Sequence, residues 1–168
     1  MTVTLRCVAP GGNMDADDIE VLRRRASAVR ERFRALPASA PDRQGPPDPR
    51  SGERWDRYNI LGHVAEVLPF WVAQLEVAIE GQPFGRLPGS TERQHAVDHG
   101  REVGETALRA RIDSGFEGLQ RFLDRLVSSD LDRKVTMRGR GEETVGWAME
   151  NLMVGHAEEH CTQLAELS

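Results

Sequence analysis

The feature that most constrains this chain is an apolar stripe of helical period that recurs in four separate segments. Within each segment the apolar residues fall three or four positions apart, and this spacing places them on one face of an α-helix. The first three stripes are Ile19, Leu22, Ala26, Val29, Phe33 and Leu36; Ile60, Val64, Val67, Leu68, Trp71, Leu75 and Ile79; and Val103, Leu108, Ile112, Phe116, Leu119, Phe122, Leu123 and Leu126. Amphipathic helices bury such faces best against one another, and no segment shows a convincing strand pattern. The sequence therefore predicts an all-α fold, a four-helix bundle.

Capping and stop signals predict the ends of the first two helices. Asn13 or Asp15 is the predicted N-cap of the first helix, and Pro37 ends it. The second helix is predicted to begin after Asp56, its N-cap, and to end at Gly81.

The second half of the chain holds the other two helices. The third helix is predicted over 102–127, and Thr144 is the predicted N-cap of a fourth helix that continues to about Leu167. Residues 81–101 are predicted to form a loop with at most one short helical turn. The segment 134–137 is a candidate extended piece, and a glycine-containing turn follows it.

Two segments carry no apolar stripe. Residues 37–54 contain five prolines, and such a connection is long for a compact domain. We expect it to cross one end of the bundle, so the first two helices need not form a simple antiparallel hairpin. Residues 1–14 are predicted to be a flexible extension, with Met14 a candidate alternative start, and 15–168 the bundle domain.

Charge and composition bear on partners and on cellular location. The net charge of -5 and the pI of about 5.6 argue against a nucleic-acid partner, since such proteins usually carry a basic excess. We expect no membrane span, since no segment approaches the roughly 20 apolar residues that one needs, and we expect no signal peptide. The two cysteines, Cys7 and Cys161, are too few for a disulfide scaffold. A cytoplasmic protein without a membrane partner is expected.

The stripe of the fourth helix contains two histidines, His156 and His160. Four residues advance a helix by about 6 Å and little more than one turn, so the two rings lie one above the other. Two imidazoles in that arrangement can bind one metal ion. The motif is not that of the zincin proteases, because Ala157 stands where their general base would be. The stripe reads Val145, Met149, Leu152, His156, His160, Leu164 and Leu167.

His63 on the second helix is the best candidate for a third ligand, because it flanks the buried face of that helix. The alternative is a core histidine that is hydrogen-bonded to a carboxylate. Because three histidines lie on two core stripes, we favour a metal site over hydrogen-bonded core histidines. Glu66 lies one turn beyond His63, and Glu159 lies one turn beyond His156. Each could orient a ligand ring or act as a base, or it could be a solvated flank residue.

Other reactive side chains fit a structural role better. His95 and His99 are also four apart, but their polar surroundings favour a solvated position over a second metal site. Cys161 follows His160 but points about 100° away from it. We interpret it as a buried structural thiol rather than a nucleophile.

Two segments of the chain resemble the DinB-like (YfiT-like) metalloprotein superfamily. This superfamily includes mycothiol- and bacillithiol-dependent S-transferases and the N-terminal domain of maleylpyruvate isomerase. The residues that carry the resemblance are Trp55, His63 and Glu66 in the first segment and Thr144, Leu152, His156, His160 and Leu164 in the second.

The resemblance implies a four-helix bundle that holds one divalent metal ion, often zinc or nickel. By the resemblance, its ligands are His63, His156 and His160. Three protein ligands leave a coordination position open, as in catalytic metal sites. The resemblance further implies an enzyme that uses a low-molecular-weight thiol, such as mycothiol, for S-transfer or isomerisation of a small-molecule substrate.

Two other functions stay open at this point. One is a non-catalytic metal-binding protein that reports stress, for which a homodimer through an exposed helix face is considered. The other is a metal-free helical bundle that serves as an interaction module.

Overall fold

The computed structural model describes residues 16–37, 43–47 and 52–167. The predicted extension 1–14 and the question of a start at Met14 therefore lie outside the described residues, as does the predicted cap of the first helix.

The described residues form helices and one small hairpin. In chain order the elements are α1 (Ala16–Ala35), α2 (Arg57–Ile79), α3 (Glu92–Asp98), α4 (Gly100–Val103), α5 (Glu105–Arg125), α6 (Ser128–Leu131), β1 (Lys134–Met137), β2 (Gly141–Thr144), α7 (Val145–Ala148), a π-helical turn (Met149–Val154) and α8 (Gly155–Glu166). Elements α7, the π-helical turn and α8 follow one another without a break, and we call them together the terminal helix (145–166). The prediction of an all-α protein is confirmed.

Helix α2 lies at the centre of the fold. It packs most extensively against α5 and α3 and also contacts the terminal helix, while α1 packs against α5 and the terminal helix. The stripes predicted for the first three helices are the buried faces of α1, α2 and α5. Only Leu36, Ile79 and Val103 of those stripes are half-buried, and they pack against the core from its edge.

Helix α2 begins where the sequence predicts, at a capping box. The carboxylate of Asp56 accepts hydrogen bonds from the backbone N–H groups of Tyr58 at 2.7 Å and Asn59 at 3.0 Å. The side chain of Asn59 accepts in return from the backbone of Asp56 at 2.9 Å. The cap satisfies N–H groups that no helical carbonyl can reach, so it fixes the start of the helix that carries His63.

The segment 81–101, predicted to be mostly loop, contains the short helix α3 and the start of α4, and the next long helix begins at Glu105 rather than near residue 102. Glycines allow these short helices to lie directly on α2. A Cβ added to Gly62 would be 2.1 Å from the carbonyl oxygen of Ala96, and one added to Gly100 would be 2.2 Å from that of Tyr58. Such backbone contacts do not require an apolar stripe, so helices α3 and α4 could not be predicted from apolar periodicity.

The hairpin confirms the predicted extended piece and turn. Strands β1 and β2 are antiparallel, with Lys134 opposite Thr144 and Met137 opposite Gly141. The loop after α2 joins the hairpin, because the backbone of Phe84 donates to the carbonyl of Thr136 at 3.0 Å. The expectation of no convincing strands holds for the bundle but misses this small sheet.

The apolar character of α2 corrects one expectation from the sequence. By length and composition alone this helix could cross a membrane, contrary to the expectation that no segment approaches the length of a span. Half of the relevant stretch is buried inside the bundle. A helix surrounded by others on several sides needs apolar residues on most of its surface, which explains the composition of α2.

Candidate metal centre

Three histidines from two elements meet beside the core. His63 lies on α2, and His156 and His160 lie one turn apart on the terminal helix. The Nε2 atom of His156 is 2.9 Å from Nε2 of His63 and 3.1 Å from Nε2 of His160. All three ligand atoms lie within 4.8 Å of one another. The structure thus brings together the residues that the spacing singled out.

The π-helical turn changes which face of the terminal helix is buried. The predicted stripe passes through Leu152 and His156, but both are half-buried, whereas the adjacent Met153 and Ala157 are buried. A π turn holds an extra residue, so it rotates the following segment by about 100° relative to a regular α-helix. The prediction that the histidines face the core holds for His160, which is buried, while His156 lies at the edge of the core.

Gly155 makes the π-helical turn sterically accessible. Its backbone N–H donates to the carbonyl of Glu150, five residues earlier, which is the hydrogen bond of a π-helix. A Cβ added to Gly155 would be 2.4 Å from that same carbonyl oxygen. The glycine therefore sets the rotation that brings His156, the next residue, towards His63.

Burial keeps the three imidazoles neutral. Loss of water lowers the pKa of His63 to about 2, of His156 to about 3 and of His160 to about 4, and neighbouring imidazoles add to the first two shifts. A neutral imidazole offers a lone pair, the form in which histidine binds metals. His63 and His160 are buried, while the side chain of His156 keeps 28% of its surface exposed.

Hydrogen bonding among the rings leaves a place for a cation. The Nδ1–H of His160 donates to Oε1 of Gln163 at 2.8 Å, so Nε2 of His160 carries the lone pair. A single N–H at Nε2 of His156 can donate to Nε2 of His63 or of His160 but not to both. One cation, in contrast, can accept a lone pair from all three Nε2 atoms. Nitrogens bound tetrahedrally to zinc lie about 3.3 Å apart, close to the observed distances. The residues fit a metal ion.

Trp55 forms a wall of the site. Its ring stacks on His160 with centroids 5.8 Å apart and planes at 17°, and it meets the edge of His63 at 5.2 Å. The sequence indicated Trp55 only through the resemblance, and it did not indicate Gln163. The position of Gln163 three residues after His160 was a usable signal, because residues three apart share a helix face.

The triad lies in a cavity of about 1150 Å³. Trp55, Trp71 and Trp147 contribute aromatic walls, and residues 43–47 of the proline-rich connection line one side. This part of the connection is held in place, since the backbone N–H of Gly45 donates to the carbonyl of Trp55 at 2.9 Å. The arginines that line the cavity are Arg43, Arg86, Arg93 and Arg140.

The two candidate carboxylates lie in different places. Glu66 accepts from Arg86 at 2.7 and 3.0 Å and does not orient His63, whose Nδ1 has no hydrogen-bond partner among the described residues. Glu159 lines the cavity, with a carboxylate oxygen 3.9 Å from Nδ1 of His156, and its side chain is 74% exposed. Of the two, Glu159 is the one placed to act on a ligand ring.

The residues judged structural from sequence do not join this site. The rings of His95 and His99 stack with centroids 4.1 Å apart, and no third ligand joins them among residues 16–37, 43–47 and 52–167. Cys161 is fully buried, and burial raises the pKa of its thiol. A buried thiol of raised pKa is a poor nucleophile, as predicted.

The chain was compared with known proteins. A model of the DinB superfamily matches residues 22–164, which include all three histidines of the triad. No curated protein and no solved structure matches the chain. Since the match covers most of the chain, from α1 to α8, this protein belongs to the DinB superfamily.

Proposed function

We propose that this protein is a metal-dependent enzyme that transfers or isomerises small molecules with the help of a low-molecular-weight thiol such as mycothiol. The observation that supports the proposal is the convergence of three neutral imidazoles, from His63, His156 and His160, in a cavity of about 1150 Å³. Three protein ligands leave a coordination position for a substrate, and a cavity of this size holds a small molecule.

Imidazole ligands suit zinc and nickel, and these are the metals we propose. A divalent ion in the site would lower the pKa of a bound thiol and so supply a thiolate at neutral pH. The residues of the chain hold and orient this centre. Gln163 fixes the tautomer of His160, and the indole of Trp55 restricts two of the rings. Glu159 lies 3.9 Å from Nδ1 of His156, and a small rotation of its exposed side chain would bring the carboxylate within hydrogen-bond distance of that nitrogen.

The first test is the metal content of the purified protein by elemental mass spectrometry. We expect about one equivalent of zinc or nickel in the wild type and its loss in His63→Ala, His156→Ala and His160→Ala. His95→Ala is the matched control, because His95 is exposed and lies outside the triad, and it should retain the metal. A wild-type protein that takes up no metal, even after reconstitution with zinc or nickel, would leave a metal-free interaction module.

A second measurement separates an enzyme from a non-catalytic metal protein. Cobalt(II) in the same site should show a thiolate charge-transfer band when a small thiol is added, because sulfur enters the open position. A metal-loaded protein without that band, and without S-transfer activity in a screen of electrophiles, would instead be a binding or stress-sensing protein.

A further inference from the structure

One arginine of the cavity, Arg93, forms no ion pair with any residue that the structure describes. Arg93 on α3 is half-buried and lines the cavity of the triad. Its guanidinium lies over the ring of Trp55, 5.2 Å from the centroid, and no ion pair joins it to any acidic residue within 16–37, 43–47 and 52–167. The same indole stacks on His160, so the cation and the triad share one aromatic wall.

Two other arginines of the cavity are neutralised by glutamates. Arg86 bonds both carboxylate oxygens of Glu66 and lies over the ring of Phe70. Arg140 bonds Glu143 at 2.5 Å. Such pairing is usual for a half-buried guanidinium like that of Arg86, since the charge costs free energy away from water, whereas Arg140 is exposed. Arg93 is therefore a half-buried cation to which the described residues supply no counter-ion.

Arg93 and the triad line the same cavity, and both contact the ring of Trp55. A divalent metal ion held by the triad would place a second positive charge in that cavity. An anion between the two would be attracted by both, and aromatic walls strengthen this attraction by excluding water.

We propose that Arg93 is a specificity residue that binds a carboxylate, or an equivalent oxyanion, on the substrate of this cavity while the reacting group of the substrate binds at the triad. The contact of the reacting group with the triad rests on the proposed function, whereas the contact of the carboxylate with Arg93 does not. A guanidinium binds a carboxylate through two parallel N–H bonds, which also fixes the direction in which the substrate lies.

The test compares two thiols with the same three-carbon chain, one ending in a carboxylate and the other in a neutral alcohol. Zinc-loaded wild type, Arg93→Gln and Arg140→Gln are titrated by calorimetry with 3-mercaptopropionate and with 3-mercapto-1-propanol. The wild type should bind the carboxylate thiol roughly tenfold to a hundredfold more tightly, as expected for a charge-assisted hydrogen bond. Arg93→Gln should lose this preference yet bind the alcohol as before, and Arg140→Gln, the matched control, should keep it.

A second arm does not depend on the metal. Propionate is added to ¹⁵N-labelled, metal-free protein, and the Nε–Hε signal of Arg93, assigned by its absence in Arg93→Gln, should shift on saturation. If both thiols bind alike and propionate leaves that signal in place, the anion site is overturned while the thiol function stands. If neither thiol binds but propionate moves the signal, the anion site stands and the thiol function fails.

Discussion

Gln163 decides which nitrogen of His160 faces the other two histidines. Replacing it with Leu removes the acceptor for Nδ1–H and frees the imidazole to change tautomer or rotate. Loss of such a partner typically costs about tenfold to a hundredfold in metal affinity. We expect Gln163→Leu to show that loss in a competition titration with a zinc chelator, and Gln163→Glu, which keeps an acceptor, to show little.

The control for this experiment is Gln94→Leu. Gln94 is also an exposed helical glutamine, bonded to a side chain one turn away, but its partner is Asp98 on α3. Zinc affinity equal in Gln163→Leu and Gln94→Leu would show that Gln163 does not position the ligand.

At the same scale, the sequence predicted the triad because each of its histidines lies on or beside an apolar stripe. His156 and His160 share a turn of one helix, and His63 flanks an apolar stripe that the structure confirms. The pairing of Glu66 with Arg86 was not predictable in this way, because Arg86 lies in the loop after α2, where no stripe indicates its position. The sequence did not indicate Arg93 either, because α3, on which it lies, has no apolar stripe.

The terminal helix is the element on which the site depends, and Gly155 is its sensitive position. Alanine there brings a Cβ to 2.4 Å from the carbonyl of Glu150, so the π-helical turn must distort. Overpacking of this kind costs about 1–3 kcal/mol in unfolding free energy. We expect Gly155→Ala to lose that amount in urea unfolding and also to lose metal, because His156 is the next residue.

Gly118→Ala is the matched control on another helix. A Cβ there meets only the end of Arg121, at 3.9 Å, and alanine is the better helix former by roughly 0.5–1 kcal/mol. This variant should be as stable as the wild type or more so, with full metal content. If Gly155→Ala matched Gly118→Ala in stability and in metal content, the π-helical turn would not be needed for the site.

The elements themselves were predictable where one apolar face decides the structure. The stripes of α1, α2 and α5 follow regular helical period, and their burial follows from it. The π-helical turn breaks this period without any change in composition, so Leu152 was placed in the core instead of Met153. Helices α3 and α4 were missed because backbone contact at Gly62 and Gly100, not an apolar stripe, holds them against α2.

At the scale of the whole molecule, arginines on α1 join the outer surfaces of the bundle. Arg25 bonds Glu150 and Glu158 of the terminal helix, and Arg30 and Arg34 both bond Asp113 of α5. These ion pairs connect α1 to α5 and to the terminal helix. They connect the segment that carries the triad to the rest of the fold.

The cluster around Asp113 makes stability depend on pH. Hydrogen bonds from Arg30 first, and then from Arg34, hold the pKa of Asp113 well below the ordinary value of 3.8. Between these two pKa values the unfolded chain binds a proton that the folded one does not, so acid favours unfolding. The contribution of Asp113 is thus present above pH 3.8 and is lost as pH falls towards the folded pKa.

Replacing Asp113 with Asn should therefore lower the melting temperature at pH 7 by roughly 1–4 °C, a modest shift because the ion pairs are partly exposed. The difference from wild type should stay constant down to about pH 4 and narrow as pH is lowered from there towards 2, measured by circular dichroism on both proteins. Asp98→Asn, on the surface of α3, controls for the loss of one negative charge. A deficit in Asp113→Asn that is the same at every pH would mean that the ion pairs with α1 contribute nothing and that packing alone joins α1 to α5.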